Sequence, residues 1–366
     1  MSTVVSEVSA TRYTDCDGGD FEIVVVEATT SDGLVGRGYQ MLFGAPGNAI
    51  AEIIATRLAP AVMGCSPWLT ERAWQNMADA LPRRGSDGLV RGAIGAIDMA
   101  FWDIKGKVAG VPVAHLLGNH RERIPTYINC AYHLPPDELA EKAASFVAAG
   151  HRAVKIRGSR SFVSPATAMA RVQAVREAIG PDIKLMVDVN GTWDVDTAIS
   201  QLKKWEPYDV YWLEEPVPPE DIAAYARVRA HAGRTNIVGG EQHVGLTEFK
   251  ALIDARAVDI VQPNAAVTGG ITDWLKLHAY ATSNAIPVSP WNMQAVHIHL
   301  ACGLPNVLWI EYFLPENPLL AFKSRLITTP QLSEVTDEEG VFLEAPSAPG
   351  LGLELDPDVA ATSRVA

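Results

Sequence analysis

The sequence is poor in several features that mark particular protein classes. Its 366 residues include four cysteines, with no Cys-x-x-Cys motif and no paired spacing, so reduced thiols are expected. Lys and Arg total 30 against 43 acidic residues, and the net charge of −13 argues against nucleic acid or an anionic membrane as a partner. No apolar run approaches the roughly 20 residues that span a bilayer. The N-terminal MSTVVSEVSATRYTD lacks a basic segment followed by an apolar run, so we expect no signal peptide and a cytoplasmic protein.

The composition and the length fit an α/β protein with a large catalytic unit and a smaller one. Apolar residues make up 48% of the chain, which is ample for a core. A parallel barrel takes roughly 200–250 residues and leaves room for a second unit. Within residues 1–120, FEIVVVEATT and VGRGYQ predict strands, and three later segments carry apolar residues at helical spacing. This order predicts an N-terminal α+β capping domain.

From residue 121 the pattern changes to short apolar runs that alternate with helical stretches. Alternating units of this kind predict parallel strands that are covered on both faces, and eight of them predict a (β/α)8-type barrel over residues 121–315. Residues 316–366 are rich in Pro, Gly and acidic residues and are expected to return to the capping domain. The eight predicted strands are IPTYINCA, AVKIRG, KLMVDVNG, VYWLEEP, NIVGGEQ, VDIVQPNA, IPVSPWN and VLWIEYF.

Three acidic residues recur at the ends of consecutive predicted strands. Asp188, Glu214 and Glu241 are 26 and 27 residues apart, which is about the length of one strand, one helix and two short loops. The carboxyl ends of barrel strands share one mouth, where three unpaired carboxylates would repel one another and raise their pKa values. A hard divalent cation removes this repulsion, and Mg²⁺ suits a set of oxygen ligands. We therefore predict one magnesium site.

Other polar residues follow the same strand ends. Residues two apart on a strand face the same way, so Lys155 and Arg157 are both expected to face the mouth, and His243 is expected to share the direction of Glu241. Because the chain is acidic overall, any anionic substrate must be drawn in by a local positive centre, and these two cations would supply one. The remaining strand-end candidates are Asn190, Asn264, Trp291 and Glu311.

Several motifs together resemble the enolase superfamily in its mandelate racemase branch, over nearly the whole chain. They are GAIDMAFWDIKGKVAGVPVAHLLG, VDVNG, WLEEP, GGEQ and VQPNAAVTGGIT. The resemblance implies that Asp188, Glu214 and Glu241 hold Mg²⁺, which in turn binds a substrate carboxylate. A base then removes the adjacent proton to give a metal-stabilised enediolate. It further implies that Glu311 hydrogen-bonds the substrate carboxylate and that Asn190 helps to hold the substrate. Asn264 and Trp291 are predicted to bind the substrate as well.

The chain departs from the branch at the position of the base. The branch commonly has Lys-x-Lys at the end of the second strand, whereas this chain has Lys155-Ile156-Arg157. Arginine keeps its proton up to a pKa above about 12 and is a poor base. Either Lys155 is the base and Arg157 lowers its pKa, or Arg157 is itself the base under strong perturbation. Both residues could also merely pair with the acidic ring.

A second departure lies on the opposite side of the mouth. Many relatives carry an Asp on strand six and a His base on strand seven, where this chain has Asn264 and Trp291. Loss of this pair favours a one-sided reaction, with His243 either as a substitute acid–base group or as support for a metal ligand.

We therefore expect a Mg²⁺-dependent dehydratase of a sugar acid that forms homo-oligomers. The alternatives are a racemase, epimerase or cycloisomerase of the superfamily, or a ligand-binding relative without turnover. A polar mouth that includes His243 would favour a hydroxyl-rich substrate. Specificity is expected from two loops of the capping domain, residues 16–20 and 43–47.

Overall fold

Two sheets organise the chain, one in the N-terminal unit and one that forms the barrel. The computed structural model describes residues 3–15, 21–83, 85–130, 132–158, 164–328 and 332–365. The first sheet is antiparallel with the strand order β13-β1-β2-β3. Its strands are β1 (Val5–Thr14), β2 (Phe21–Thr30), β3 (Val35–Phe43) and the short β13 (Arg364–Val365).

Two glycines let the longest helix lie directly on this sheet. Gly36 and Gly38 occupy alternate positions of β3, on the face that meets the helix Leu89–Ala109. A Cβ atom on Gly36 would lie 2.2 Å from the carbonyl oxygen of Ala100, and one on Gly38 would lie 2.1 Å from that of Ala96. Any side chain at these positions would therefore push the helix off the strand.

Five helices follow β3 in the capping unit. The segment 49–62 reads as one continuous helix in the sequence, but in the structure a π-helical turn, Ile54–Leu58, interrupts it just before Pro60. Proline has no N–H to donate and its ring clashes with the carbonyl four residues earlier, so a regular helix cannot continue through it. The helices are α1 (Gly47–Ile53), α2 (Ala59–Val62), α3 (Thr70–Asp79), α4 (Leu89–Ala109) and α5 (Val113–Leu116).

The barrel is parallel and closes on itself. Strands β4 to β9 pair in chain order, and β10 pairs with β4. The strands are β4 (Arg123–Cys130), β5 (Ala153–Arg157), β6 (Lys184–Asp188), β7 (Val210–Glu214), β8 (Asn236–Gly239), β9 (Ile260–Val261) and β10 (Ile310–Tyr312). Between them lie α6 (Pro136–Ala148), α7 (Pro165–Ile179), α8 (Val195–Trp205), a 3₁₀ turn (Glu206–Tyr208), α9 (Ile222–Arg229), α10 (Gly245–Asp254), α11 (Ala265–Thr268), α12 (Ile271–Ser283) and α13 (Gln294–Gly303).

The predicted seventh strand is reduced to a single bridging residue. Val288 makes parallel bridges to Val261 on one side and to Val307 on the other, and so closes the wall between β9 and β10. Pro287 and Pro290 flank this position, and neither can donate a hydrogen bond to a neighbouring strand. The eightfold barrel is thus present, with its seventh strand shortened by proline.

Alternation along the strands separates the barrel interior from the helix layer. Six interior residues form a cluster of their own, in which the Tyr127 and Trp212 rings meet edge to face at 5.0 Å. Each strand presents its next residue on the same face two positions further along. These residues are Lys155 after Ala153, Asp188 after Met186 and Glu214 after Trp212. The cluster consists of Tyr127, Ala153, Met186, Trp212, Val238 and Ile260.

The C-terminal segment contacts both units. It contains α14 (Ala321–Leu326), β11 (Glu334–Asp337), β12 (Gly340–Glu344), α15 (Pro357–Ser363) and β13. Strand β12 pairs antiparallel with β4 of the barrel, while β13 pairs with β1 of the capping sheet. The domain boundaries at residues 120 and 315 stay a prediction.

Two expectations from composition concern thiols and membranes. Cys65, Cys130 and Cys302 are free thiols. Cys16 belongs to the predicted specificity loop 16–20, which lies outside the described residues. Among the helices that the structure describes, none combines the length and the apolar character needed to cross a bilayer.

Candidate functional site

Three carboxylates meet at the carboxyl ends of neighbouring barrel strands. Asp188 and Glu214 end β6 and β7 and are paired in register, and Glu241 follows β8 by two residues. One carboxylate oxygen from each of Asp188, Glu214 and Glu241 lies within 4.8 Å of the others, and all three residues are buried. Sequence spacing therefore identified a cluster that the fold does bring together.

The electrostatics of this triad fit a divalent cation. Glu214 Oε2 and Glu241 Oε2 are buried without a hydrogen-bond partner among the described residues. Burial raises the pKa of Glu214 to about 7, with Asp188 adding to the rise and Lys155 opposing it. Burial and neighbouring carboxylates also raise the pKa of Glu241 well above its ordinary value. Converging, unpaired oxygen donors whose charge is disfavoured form a donor set that suits Mg²⁺.

Asp188 differs from the other two because it already has a cationic partner. Its Oδ2 accepts a hydrogen bond from Arg157 Nη1 at 2.8 Å, and its Oδ1 accepts one from the Asn190 N–H at 2.9 Å. Burial would raise the pKa of Asp188, but the charges of Arg157 and Lys155 outweigh it and lower the pKa. Asp188 is therefore the most readily ionised member of the triad.

Lys155 lies at the centre of a buried network of acids. Its Nζ is 2.8 Å from Glu214 Oε1, 2.7 Å from Glu311 Oε1 and 3.9 Å from Asp188 Oδ2. Burial lowers the pKa of Lys155, but Glu214 and Glu311 more than offset this, so the pKa is raised. Lys155 and Arg157 line the same cavity, in agreement with their spacing of two on β5.

Glu311 on β10 is held from three sides. Besides Lys155, it accepts hydrogen bonds from Asn129 Nδ2 at 2.8 Å and from the Asn292 N–H at 2.9 Å. Sequence reasoning missed Asn129 and Asn292. Asn129 could have been found, because it stands near the end of β4 and pairs in register with Lys155.

Two asparagines that were predicted to bind substrate occupy different environments. Asn190 Nδ2 lies 3.4 Å from both Asp188 Oδ2 and Glu241 Oε1, and its buried Oδ1 has no partner among the described residues. Asn264 instead caps α11: its Oδ1 accepts from the N–H groups of Ala266 and Val267, and its Nδ2 donates to the carbonyl of Trp291. Both asparagines line the cavity, but only Asn190 has a free acceptor there.

Several of these residues line one cavity of about 560 Å³ between the barrel mouth and the capping unit. Its polar lining, here called the polar wall, includes Asn129, Lys155, Arg157, Asn190, Glu241 and Asn292. Its apolar lining, here called the apolar wall, includes Met41, Phe43, Leu89, Val267, Trp291 and Leu319.

The cavity combines the polar residues expected at the mouth with the apolar wall, which sequence reasoning did not predict. Phe43 and Leu89 are 46% and 47% exposed, which is unusual for large apolar side chains, and the Phe43 ring lies 6.1 Å from that of Trp291. Trp291 thus belongs to an aromatic surface and carries no proton-transfer group. Of the two predicted specificity loops, the described one, residues 43–47, supplies Phe43 to this wall.

The predicted direction of His243 is wrong. Strand β8 ends at Gly239, and the His243 N–H bonds back to the carbonyl of Gly240, so strand alternation does not extend to this residue. The His243 ring packs between Tyr225 and Phe249 in the helix layer, with centroid distances of 6.3 and 6.0 Å. Burial lowers the pKa of His243 to about 4. His243 is therefore a buried neutral side chain outside the cavity lining.

Glu215, next to a triad member, takes no part in the cluster. Its backbone has a φ of 45°, and its Oε2 accepts a hydrogen bond from Gln242 Nε2 at 2.6 Å. Burial, together with the charge of Asp188, raises the pKa of Glu215 to about 8.

Comparison with known proteins places both units in one family. Residues 17–118 match the family model described as the mandelate racemase / muconate lactonizing enzyme N-terminal domain, and residues 138–359 match the model described as enolase C-terminal domain-like.

Characterised relatives match over most of the chain. A 3,6-anhydro-alpha-L-galactonate cycloisomerase from Streptomyces coelicolor is 32% identical over 82% of this chain and 84% of its own. An L-talarate/galactarate dehydratase from Salmonella typhimurium is 32% identical over 87% and 80%, respectively. The crystal structure of L-talarate dehydratase from Polaromonas sp. JS666, complexed with Mg and L-glucarate, superimposes with a TM-score of 0.87 at 31% identity, covering 100% of this chain and 98% of that one.

Proposed function

Because this chain belongs to the mandelate racemase / muconate lactonizing enzyme family of the enolase superfamily, we propose that it is a magnesium-dependent dehydratase of a sugar acid. In this reaction a base removes the proton next to the carboxylate, and the neighbouring β-hydroxyl leaves with its bonding electron pair and takes a proton from the same group to become water. The resulting enol becomes a 2-keto-3-deoxy acid. The similarity to the Salmonella dehydratase supports this assignment.

The metal would be held by Asp188, Glu214 and Glu241, whose converging and partly unpaired oxygens support the assignment. Bound there, a magnesium ion would supply positive charge for the substrate carboxylate and would offset the carboxylates that raise the pKa of Lys155.

Lys155 is our choice for the base that takes the proton. Arg157 is bound to Asp188 at 2.8 Å and keeps its charge at any ordinary pH, so it acts as a fixed cation beside the developing negative charge. Glu311 holds the Lys155 side-chain nitrogen at 2.7 Å, and from the family resemblance we assign to it the hydrogen bond to the substrate carboxylate. Asn190, with its free Oδ1, is placed to accept a hydrogen bond from a substrate hydroxyl.

Dehydration is favoured over racemisation because the described cavity residues include no second base. Among the described residues that line the cavity, only Lys155 and Arg157 carry cationic groups, and both extend from β5. Asn264 and Trp291 stand where a racemase needs an acid–base pair, and His243 packs in the helix layer. Racemisation needs a second acid–base group that returns the proton from the side opposite β5, and no described residue provides one. Elimination on one side needs no such group.

A cycloisomerase acting on a less hydroxylated sugar acid is the second candidate. The apolar wall, which includes Phe43, Leu89 and Trp291, favours a substrate that carries fewer hydroxyls. The similarity to the Streptomyces cycloisomerase supports the same alternative.

The test follows candidate substrates by NMR in D₂O with Mg²⁺. Aldonic acids, aldaric acids and their anhydro derivatives are incubated with the protein. A 2-keto-3-deoxy product supports dehydration, a rearranged ring supports the second candidate, and deuterium exchange without either supports a racemase or epimerase. No exchange across the library contradicts all three and favours a binding protein without turnover.

Two variants test the base in the same assay. Lys155→Met should abolish exchange, and His243→Asn should retain it, since His243 lies outside the cavity lining. The opposite pattern would refute the assignment of Lys155. The expected homo-oligomer remains part of the proposal and is tested by light scattering.

A further inference from the structure

A second cavity lies behind one wall of the catalytic cavity. It has a volume of about 370 Å³, and its lining includes Phe313, Lys323, Ser324 and Thr328. Phe313 lines both cavities. The Gln294 side chain fixes this shared wall, because it donates to the Phe313 carbonyl at 2.9 Å and accepts from the Phe313 N–H at 2.8 Å.

The charge in this cavity comes from Lys323 on α14, which is 4% exposed. Its ammonium has neither an ion pair nor a hydrogen bond with any residue that the structure describes. The described lining residues include no Asp or Glu, so nothing there neutralises the charge. A cation on a buried side chain without a partner is unfavourable, so an anionic ligand in this cavity would stabilise Lys323.

The surroundings of Lys323 support the same conclusion. Burial alone lowers its pKa to about 8, with no contribution from a carboxylate. The neighbouring His297 is neutral: burial lowers its pKa to about 3, and Lys323 contributes to that fall. Glu334 is not among the described residues that line this cavity, and its carboxylate accepts a hydrogen bond from Tyr312 Oη at 2.8 Å instead of pairing with Lys323.

We propose that this second cavity binds an oxyanion, with the Lys323 ammonium as its counter-charge and the hydroxyls of Ser324 and Thr328 as further donors. Carboxylates and phosphates share this oxygen chemistry. The site needs neither the metal triad nor Lys155, and its occupant would contact the opposite side of Phe313 from the substrate.

Thermal unfolding without Mg²⁺ tests the proposal. Wild-type protein, Lys323→Met and Lys204→Met are compared in sodium phosphate, sodium acetate and sodium chloride at equal ionic strength and pH 7. Lys204 is an exposed residue of α8 and serves as the matched control. We expect an oxyanion to raise the melting temperature of the wild type and of Lys204→Met relative to chloride, but not that of Lys323→Met.

The responses of the melting temperature to the three salts also distinguish the possible classes of ligand. A rise with acetate alone identifies a carboxylate site, a rise with phosphate alone identifies a phosphate site, and a rise with both supports a general oxyanion site. In chloride, Lys323→Met should melt above the wild type, because it removes a buried charge. Equal responses of Lys323→Met and wild type, or no response of the wild type, would overturn the proposal.

Labelling of the wild-type protein keeps the test independent of variant folding. Cyanate carbamylates an uncharged lysine amine by addition, with no leaving group, and peptide mass spectrometry reads each site. Saturating phosphate or acetate should slow carbamylation of Lys323 at least fivefold and leave that of Lys204 unchanged. Equal protection of both lysines, no protection, or no reaction at Lys323 would contradict an accessible oxyanion site.

Discussion

In the absence of the metal, Glu214 should contribute less stability to the folded protein as the pH rises. Burial and its neighbours raise the pKa of Glu214 from 4.5 to about 7 in the folded protein. A carboxyl group with a raised folded pKa contributes stability that is fully present below about pH 4.5 and is lost as the pH rises through about 7. The difference between these pKa values corresponds to about 3 kcal/mol. The raised pKa of Glu241 acts in the same direction.

Urea unfolding in the presence of EDTA measures this effect between pH 5 and pH 8. Buried histidines such as His243, whose pKa is lowered to about 4, add stability over the same range in every variant, so the effect of Glu214 is measured as the difference between the wild type and Glu214→Gln. Glu214→Gln stays neutral throughout, and relative to it the free energy of unfolding of the wild type should fall by about 2.5 kcal/mol from pH 5 to pH 8. Glu141→Gln changes an exposed residue of α6 and should behave like the wild type. Magnesium at 100 times its dissociation constant should restore ~2.7 kcal/mol to the wild type at pH 8.

One result would refute this reasoning. It is an equal pH slope of the free energy of unfolding for Glu214→Gln and the wild type, which would mean that the triad's repulsion is already compensated within the protein.

Three further substitutions have defined outcomes. Lys155→Met should lower the rate of α-proton exchange by about 100-fold or more while Mg²⁺ still binds, as measured by NMR and calorimetry; an unchanged rate would exclude Lys155 as the base. Glu311→Gln should lower kcat/KM by roughly 10- to 100-fold because the charge that holds Lys155 is lost, and full activity would show that the contact at 2.7 Å has no catalytic role. Gly38→Ala should destabilise the protein by about 2 kcal/mol in urea, since its Cβ would lie 2.1 Å from the Ala96 carbonyl oxygen, and a neutral result would mean that α4 shifts freely.

The directions of side chains are predicted best from sequence where the secondary structure is regular. Two-residue alternation on β5 correctly placed Lys155 and Arg157 in one cavity, and the even spacing of the acids predicted the metal triad. The same rule failed for His243, because β8 ends at Gly239 and a turn follows. Alternation holds only while the backbone stays extended, and the end of a short strand is hard to locate from sequence.

Contacts between distant segments could not be predicted in this way. The apolar wall combines Phe43 from the capping sheet with Trp291 from the barrel, and no local pattern links residues so far apart. The lack of a described counter-charge at Lys323 also depends on contacts between distant segments. Its segment reads as an ordinary polar stretch, and only the folded chain reveals that no described acid accompanies it.

The close packing of α4 on β3 has a consequence for how such a protein can change over time. Because Gly36 and Gly38 fix the helix on the strand, neighbouring stretches of these two elements, residues 40–43 and 88–92, form one side of the catalytic cavity. The ion-holding and proton-transfer groups all come from the barrel. Changes in these capping-unit residues would therefore alter the shape of the cavity without removing any of the barrel groups that the chemistry needs.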